Sequence, residues 1–142
     1  MDDTWLQIGD HRYQFEDDIS LWQPHGVITR ADAQKLTELL LAQAHRYGAI
    51  FLLLDAHGHK QTTQEARSFY IQTMREQKVL IYFAMYHSSL VARTTLTMLA
   101  RAAALLTAST VHAYFARSEA DAREFLERER NLYRAARTKA SH

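Results

Sequence analysis

Side chains that could do chemistry follow directly after the apolar runs of this sequence. The run Ile50–Leu54 is followed by a carboxylate, two imidazoles and two hydroxyls, namely Asp55, His57, His59, Thr62 and Thr63. Val79–Tyr86 is followed by His87, Ser88, Ser89 and Arg93, and Val111–Phe115 by Arg117 and Ser118. Groups of these types serve in anion binding, metal binding, hydrolysis and phosphorylation.

The elements that must position these side chains follow an α/β pattern. An unbroken apolar run is typical of a strand covered on both faces, and segments with helical spacing separate the three runs. Upstream, Thr4–Ile8 and His11–Phe15, joined by Gly9–Asp10, predict an antiparallel hairpin, and Ile19–Gln23 predicts another strand. We expect one domain over residues 1–142, with a mixed, mostly parallel β-sheet, an N-terminal antiparallel hairpin and about four α-helices.

The polar residues after the three runs are expected to share one edge of this sheet, because the carboxyl ends of parallel strands meet there. Helix N-termini at that edge could bind an anion, with Arg93 or Arg117 adding positive charge. The alternative is that Thr62, Ser89 and Ser118 only cap the helices that follow them.

Metal binding and hydrolysis are weaker hypotheses for the same residues. His57 and His59 could chelate a metal, with His87 at the same edge, but zinc sites use three or four protein ligands. Asp55, His87 and Ser88 could form a triad, but the sequence has no nucleophile elbow and no glycine-rich phosphate loop. The absence of cysteine excludes thiolate chemistry. We therefore predict a non-enzymatic protein with no metal and no cofactor.

The helix predicted after Ser89 is apolar over a wider arc than the roughly 100° needed to cover a sheet. One stripe consists of Ala92, Leu96, Leu99, Ala103 and Leu106. The adjoining stripe consists of Val91, Thr95, Met98, Ala102 and Leu105. The helix is either wedged between its neighbours or presents the second stripe to another copy of the chain, as in a homodimer.

Bulk properties narrow the classes of partner. The formal net charge of +1 creates no overall field that would favour nucleic acid. No apolar run reaches the ~18 residues of a membrane span. The N-terminus, MDDTWLQIGD, lacks the basic start and apolar middle of a signal peptide, so we expect a cytoplasmic protein.

The segments HGVITRADAQKL, AIFLLLDAHG, TTQEAR and SEADAREFL, in this order, resemble the SpoIIAA-like or STAS-like domains related to anti-sigma-factor antagonists. In the sigma-regulating members, a serine at the start of the helix after this strand is phosphorylated by a partner kinase. Thr62 and Thr63 match that position, within HKQTTQEA rather than an aspartate–serine–serine/threonine–glycine pattern. The resemblance implies Thr62 or Thr63 as phosphoacceptor and a kinase or sigma-regulatory protein as partner.

These observations predict a regulatory or binding module that acts through protein–protein contacts. The alternative is a carrier or sensor of a small anionic or apolar, lipid-like ligand, held at the strand-end edge or beside the third helix. The alternative requires a pocket of roughly 300 Å³ or more.

Overall fold

A six-stranded sheet with helices on both faces forms the centre of the molecule. The computed structural model describes residues 5–140, so the predicted strand start at Thr4 lies outside the described residues. In chain order the elements are β1 (Leu6–Ile8), β2 (His11–Glu16), β3 (Ile19–Gln23), β4 (His25–Ile28), α1 (Arg30–Tyr47), β5 (Ile50–Asp55), β6 (Gly58–Thr62), α2 (Gln64–Glu76), β7 (Leu80–Tyr86), α3 (Leu90–Leu106), β8 (Thr110–Phe115) and α4 (Glu119–Ala140).

The strand order confirms the predicted architecture. It runs β1-β2-β3-β5-β7-β8, with β2 antiparallel to both of its neighbours β1 and β3, and with β3, β5, β7 and β8 parallel. Strand–helix–strand connections between parallel strands are right-handed, which places consecutive crossover helices on the same face of the sheet. The chain is thus a mixed, mostly parallel sheet with an N-terminal antiparallel hairpin.

The apolar run in β5 contributes side chains to two separate hydrophobic cores. Ile50, Leu52 and Leu54 pack with the inner residues of α1, α2 and α3 on one face of the sheet. Phe51 and Leu53 pack with α4 on the other face. A strand with both faces buried has no position for a polar side chain, which explains the unbroken run.

Local residues define both ends of α1. The Thr29 hydroxyl accepts a hydrogen bond from the Asp32 N–H at 3.3 Å, and the Asp32 carboxylate accepts one from the Thr29 N–H at 3.0 Å. This reciprocal pair is a capping box. At the other end, Gly48 adopts a left-handed φ of 87° that a residue with a β-carbon rarely takes.

A second sheet, formed by β4 and β6, is not predicted from the sequence. The two strands pair in parallel from His25–Gly58 to Ile28–Thr62, with a shift in register after Gly26. Most of their side chains are exposed or half-buried, so the apolar alternation that marks a strand is weak.

The position of β6 corrects one prediction about α2. Thr62 is the last residue of β6, and its side chain is buried at 3% exposure. Thr62 therefore does not cap the helix. The N-cap is Thr63, whose hydroxyl accepts from the Ala66 N–H at 3.1 Å.

Helix α4 carries a charged residue on the side that faces the sheet. Ala122 and Leu126 are buried, but Leu132 is 61% exposed, because Arg130 and Tyr133 take the positions that face the sheet. The Arg130 side chain is 16% exposed and reaches Asp18 in the turn between β2 and β3.

Asp18 ties the β2–β3 hairpin to two helices. Its carboxylate, 2% exposed, accepts from Arg130 at 3.2 Å and from Arg134. Its backbone carbonyl accepts from the Gln43 side chain of α1, and Gln43 also accepts from the Ser20 hydroxyl at 2.7 Å. The hairpin is thus fixed from both faces of the sheet.

We expect Asp18→Asn to lower the free energy of unfolding by about 3 kcal/mol or more, since it leaves Arg130 largely buried without its counter-charge. Urea denaturation at pH 7 measures the change. Glu16→Gln is the matched control, because it breaks an exposed pair with Arg123 in the same hairpin and is expected to cost below about 1 kcal/mol. Equal losses in the two variants would contradict the importance of the buried pair.

Candidate functional site

The structure brings together Asp55, His57 and His87 at the carboxyl edge of the sheet. One Asp55 carboxylate oxygen accepts from the His57 N–H at 3.0 Å and lies 3.1 Å from Nδ1 of His87. The two imidazole rings are 6.0 Å apart. Within residues 5–140 no group of three or more His, Cys, Asp or Glu side chains is arranged to hold a metal ion.

The other residues predicted for this edge have mainly structural contacts. The hydroxyls of Ser89 and Ser118 each accept a hydrogen bond at 3.1 Å from the N–H three residues later, at the starts of α3 and α4. The capping interpretation is therefore confirmed for both serines. The Arg93 guanidinium packs over the Phe115 ring at 5.1 Å, while Arg117 is exposed. Ser88, the residue before Ser89, is half-buried.

His59 does not join the edge with His57, because β6 turns it toward the interior. Its Nε2 lies 2.9 Å from the Thr62 hydroxyl. Burial lowers the pKa of His59, so the ring is neutral at physiological pH. Both His59 and Thr62 line a cavity beneath the β4–β6 sheet.

The two candidate phosphoacceptors therefore differ in access. The Thr62 hydroxyl is buried against His59, whereas Thr63 is half-buried at the start of α2. A phosphate on Thr63 would meet the free N–H groups of the first helical turn, which favour an anion. Phosphorylation at either position stays a prediction.

The cavity lies between the sheet and the inner faces of α1, α2 and α3. Its volume is about 140 Å³. It extends from His59 and Thr62 at one end to Val79 and Val111, at the starts of β7 and β8, at the other. Its walls are almost entirely apolar and include Trp22, Leu36, Leu40, Leu52, Ile81, Phe83, Met85, Leu96 and Leu99.

Two residues of β7, an interior strand next to the last strand of the sheet, show that the helices leave this space open. Ile81 and Phe83 line the cavity and remain half-buried, although β7 has a strand on each side. Tyr70 of α2 lines the same space, and its enclosure, with the charge of Asp32, raises its pKa well above the ordinary value. The Tyr70 hydroxyl is therefore neutral, and the cavity has no charged wall.

Helix α3 is apolar on its outer side as well. Five large side chains of this face are exposed by between 50% and 82%: Leu90, Val91, Met98, Leu105 and Leu106. Val91, Met98 and Leu105 of the predicted dimer face lie here, and Ala102 is half-buried. Thr95, predicted for the same face, lines the cavity, and Leu106, predicted for the inner stripe, is exposed.

The cavity itself is not predicted from the sequence. Its lining residues Trp22, Leu40 and Phe83 carry the ordinary signal of a core, and side chains alone do not reveal how far apart the elements lie. The one available signal was a threonine on the inner face of each crossover helix, at Thr37, Thr73 and Thr95. Short side chains at such positions fill less of the space between a helix and a sheet.

A buried histidine–aspartate pair holds the hairpin against α1 next to the cavity. His11 is 1% exposed and lies beside Trp22, with ring centroids 5.3 Å apart and the rings tilted at 46°. Its Nδ1 accepts from the His25 N–H at 2.8 Å, so in the neutral ring Nε2 carries the proton and donates it to Asp32 at 3.0 Å. Both nitrogens are thus used in structural contacts.

No family model and no curated protein matches the sequence. Among solved structures, the chain is similar to an uncharacterised protein of the DUF3478 family from Shewanella loihica PV-4, described as having a SpoIIAA-like fold. The two share 17% sequence identity with a TM-score of 0.51, over 82% of this chain and 91% of that chain. The chain therefore has a SpoIIAA-like fold, as the sequence resemblance implies. No helix within residues 5–140 is long and apolar enough to cross a membrane.

The Asp32 contacts predict a pH dependence of stability. Burial raises the pKa of Asp32, but hydrogen bonds from the Thr29 N–H and from His11 outweigh it and hold the pKa below its ordinary value. A carboxyl with a lowered folded-state pKa stabilises the fold above its unfolded-state pKa of about 3.9, and this is lost as the pH falls through the folded-state value. Urea unfolding should therefore show a stability gap between wild type and Asp32→Asn that narrows below about pH 4.

Asp10→Asn, which removes an exposed carboxylate from the turn between β1 and β2, controls for the change in net charge. A gap between wild type and Asp32→Asn that stayed constant from pH 6 to pH 2 would show that Asp32 contributes nothing through its charge.

Proposed function

We propose that this protein is a non-enzymatic binding module in which an apolar ligand, held behind α3, acts on a protein contact made by the outer face of α3. One observation carries the proposal: α3 separates an apolar cavity from an exposed apolar surface. Ala92, Thr95, Leu96 and Leu99 face the cavity. Leu90, Val91, Met98, Leu105 and Leu106 face outward.

The volume and walls of the cavity define the class of ligand. At about 140 Å³ it is smaller than the roughly 300 Å³ expected of a pocket for a drug-sized ligand. Apolar cavities of about 150 Å³ take up benzene. The apolar walls give no compensation for the desolvation of a charge, so a small uncharged hydrocarbon group fits best.

Trp22 provides a direct test, because it lines the cavity and is 2% exposed. In a Trp5→Phe background Trp22 is the remaining tryptophan of the chain's two, and iodobenzene quenches an indole that it contacts. We expect saturable quenching. Thr95→Phe places a ring in the cavity and should weaken binding by about tenfold or more, equivalent to about 1.4 kcal/mol.

Thr94→Phe is the matched control, since Thr94 is the adjacent exposed residue of α3. The affinity of this variant for iodobenzene should stay within about twofold of wild type. Circular dichroism establishes that both variants are folded. Quenching that rose linearly with iodobenzene concentration would contradict binding in the cavity. An equal loss of affinity in Thr95→Phe and Thr94→Phe would contradict it as well.

The outer face of α3 supports the second half of the proposal, and the partner we propose for it is a second copy of the chain. Large exposed apolar patches on soluble proteins mark interaction surfaces. A helix without acidic residues in its first turn and with apolar side chains along one side can pack against its own copy about a two-fold axis.

Sedimentation equilibrium tests this contact. The wild type should have twice the 16.4 kDa mass of one chain, and Met98→Asp with Leu105→Asp should give the monomer mass, because buried unpaired carboxylates oppose association. Thr97→Asp with Ala104→Asp places the same charges on adjacent exposed positions of α3 and should leave the dimer intact. A monomeric wild type, or dimers in both double variants, would exclude α3 as the contact between copies.

A further inference from the structure

A second cleft lies at the opposite end of β5 from Asp55, where α1 ends and α4 passes. Its volume is about 330 Å³. Its wall carries three guanidiniums and three aromatic rings, from Arg46, Tyr47, Phe51, Tyr133, Arg134 and Arg137, together with Asp18 and Thr138. A strand of this length separates the cleft from the carboxyl edge by about 20 Å, so the two are independent.

Arg46 is the guanidinium of this cleft that no carboxylate pairs. The carboxylate in the cleft wall, Asp18, is already bound by Arg130 and Arg134. The Arg46 guanidinium packs over the Tyr47 ring at 5.4 Å and forms no salt bridge with any residue between positions 5 and 140.

The arginines are held in place by contacts that leave the cleft open. Arg134 is anchored on the buried Asp18. Arg137 donates to the Tyr47 carbonyl at the end of α1 and packs over the Tyr133 ring at 5.7 Å. Gly48 makes this close approach feasible, because a β-carbon there would collide with the Tyr133 hydroxyl and the Arg137 guanidinium.

We infer that this cleft binds a phosphate group, either free or as the monoester of an aromatic compound. Guanidiniums donate two parallel hydrogen bonds to phosphate oxygens, and a phosphate would supply the counter-charge that Arg46 lacks among residues 5–140. The aromatic side chains in the cleft wall give the organic part of an ester an apolar surface to contact. This site is separate from the apolar cavity and does not depend on the function proposed above.

Isothermal titration with inorganic phosphate and with phenyl phosphate, at pH 8 and low ionic strength, tests the inference. We expect saturable one-to-one binding of at least one of the two to the wild-type protein. Tighter binding of phenyl phosphate identifies an ester as the ligand, and equal affinities identify the free anion. Arg46→Gln should weaken binding about tenfold, since it removes a guanidinium that is not needed to pair Asp18.

Arg101→Gln is the matched control, because Arg101 is an exposed arginine of α3 whose loss changes the net charge equally. Its affinity for the same ligand should stay within about twofold of wild type. The inference would be overturned if neither phosphate nor phenyl phosphate showed saturable binding to the wild-type protein. An equal loss of affinity in Arg46→Gln and Arg101→Gln would overturn it as well. Neither outcome changes the iodobenzene quenching expected for Trp22, so this inference and the proposed function can fail separately.

Discussion

The width of the helical layer compared with the parallel sheet determines which apolar surfaces of this molecule stay exposed. Neighbouring strands lie about 4.8 Å apart, so the three spacings from β3 to β8 span about 14 Å. Three helices packed side by side at 8–10 Å need about 16–20 Å between the outer axes. On the hairpin side, α1 gains cover from β1 and β5. On the other side β8 is the last strand, and α3 packs against it with an outer face that stays exposed.

The same mismatch explains how one helix can be apolar on two sides. A helix with no further element on its outer side buries only its inner stripe, so Ala92, Leu96 and Ala103 are buried while Met98 and Leu105 are not. On the sheet, Ile81 and Phe83 of β7 stay half-buried and line the cavity. The cavity and the exposed face therefore lie on opposite sides of α3.

The fold could be predicted from the sequence wherever short-range patterns control the structure. The unbroken run Ile50–Leu54 identifies a doubly covered strand, and Ser89 and Ser118 identify helix starts, because these signals lie within a few neighbouring residues. The contact between Asp18 and Arg130 joins residues far apart in the chain, and no local pattern marks it. The failure at Thr62 has a related cause, since pairing with β4 overrides the local capping signal.

The hairpin is the part of the sheet that depends most on such long-range polar contacts. His11 and Asp32 join it to α1 on one face, and Asp18 and Arg130 join it to α4 on the other. These contacts hold Trp22 of β3 in position, and Trp22 forms one wall of the cavity. The cavity can therefore persist as a defined space, because its wall is fixed from outside the apolar core and does not collapse into it.

An apolar cavity of about 140 Å³ gives the proposed ligand a way to act on stability. A compound that binds the folded chain and not the unfolded chain stabilises the fold, by about 2.7 kcal/mol at one hundred times its Kd. That is a large part of the 5–15 kcal/mol by which domains are stable. Because Ala92, Leu96 and Leu99 of α3 line the cavity, the proposed ligand would contact the inner side of the helix whose outer side is exposed. The proposed link between ligand and protein contact therefore runs through one helix.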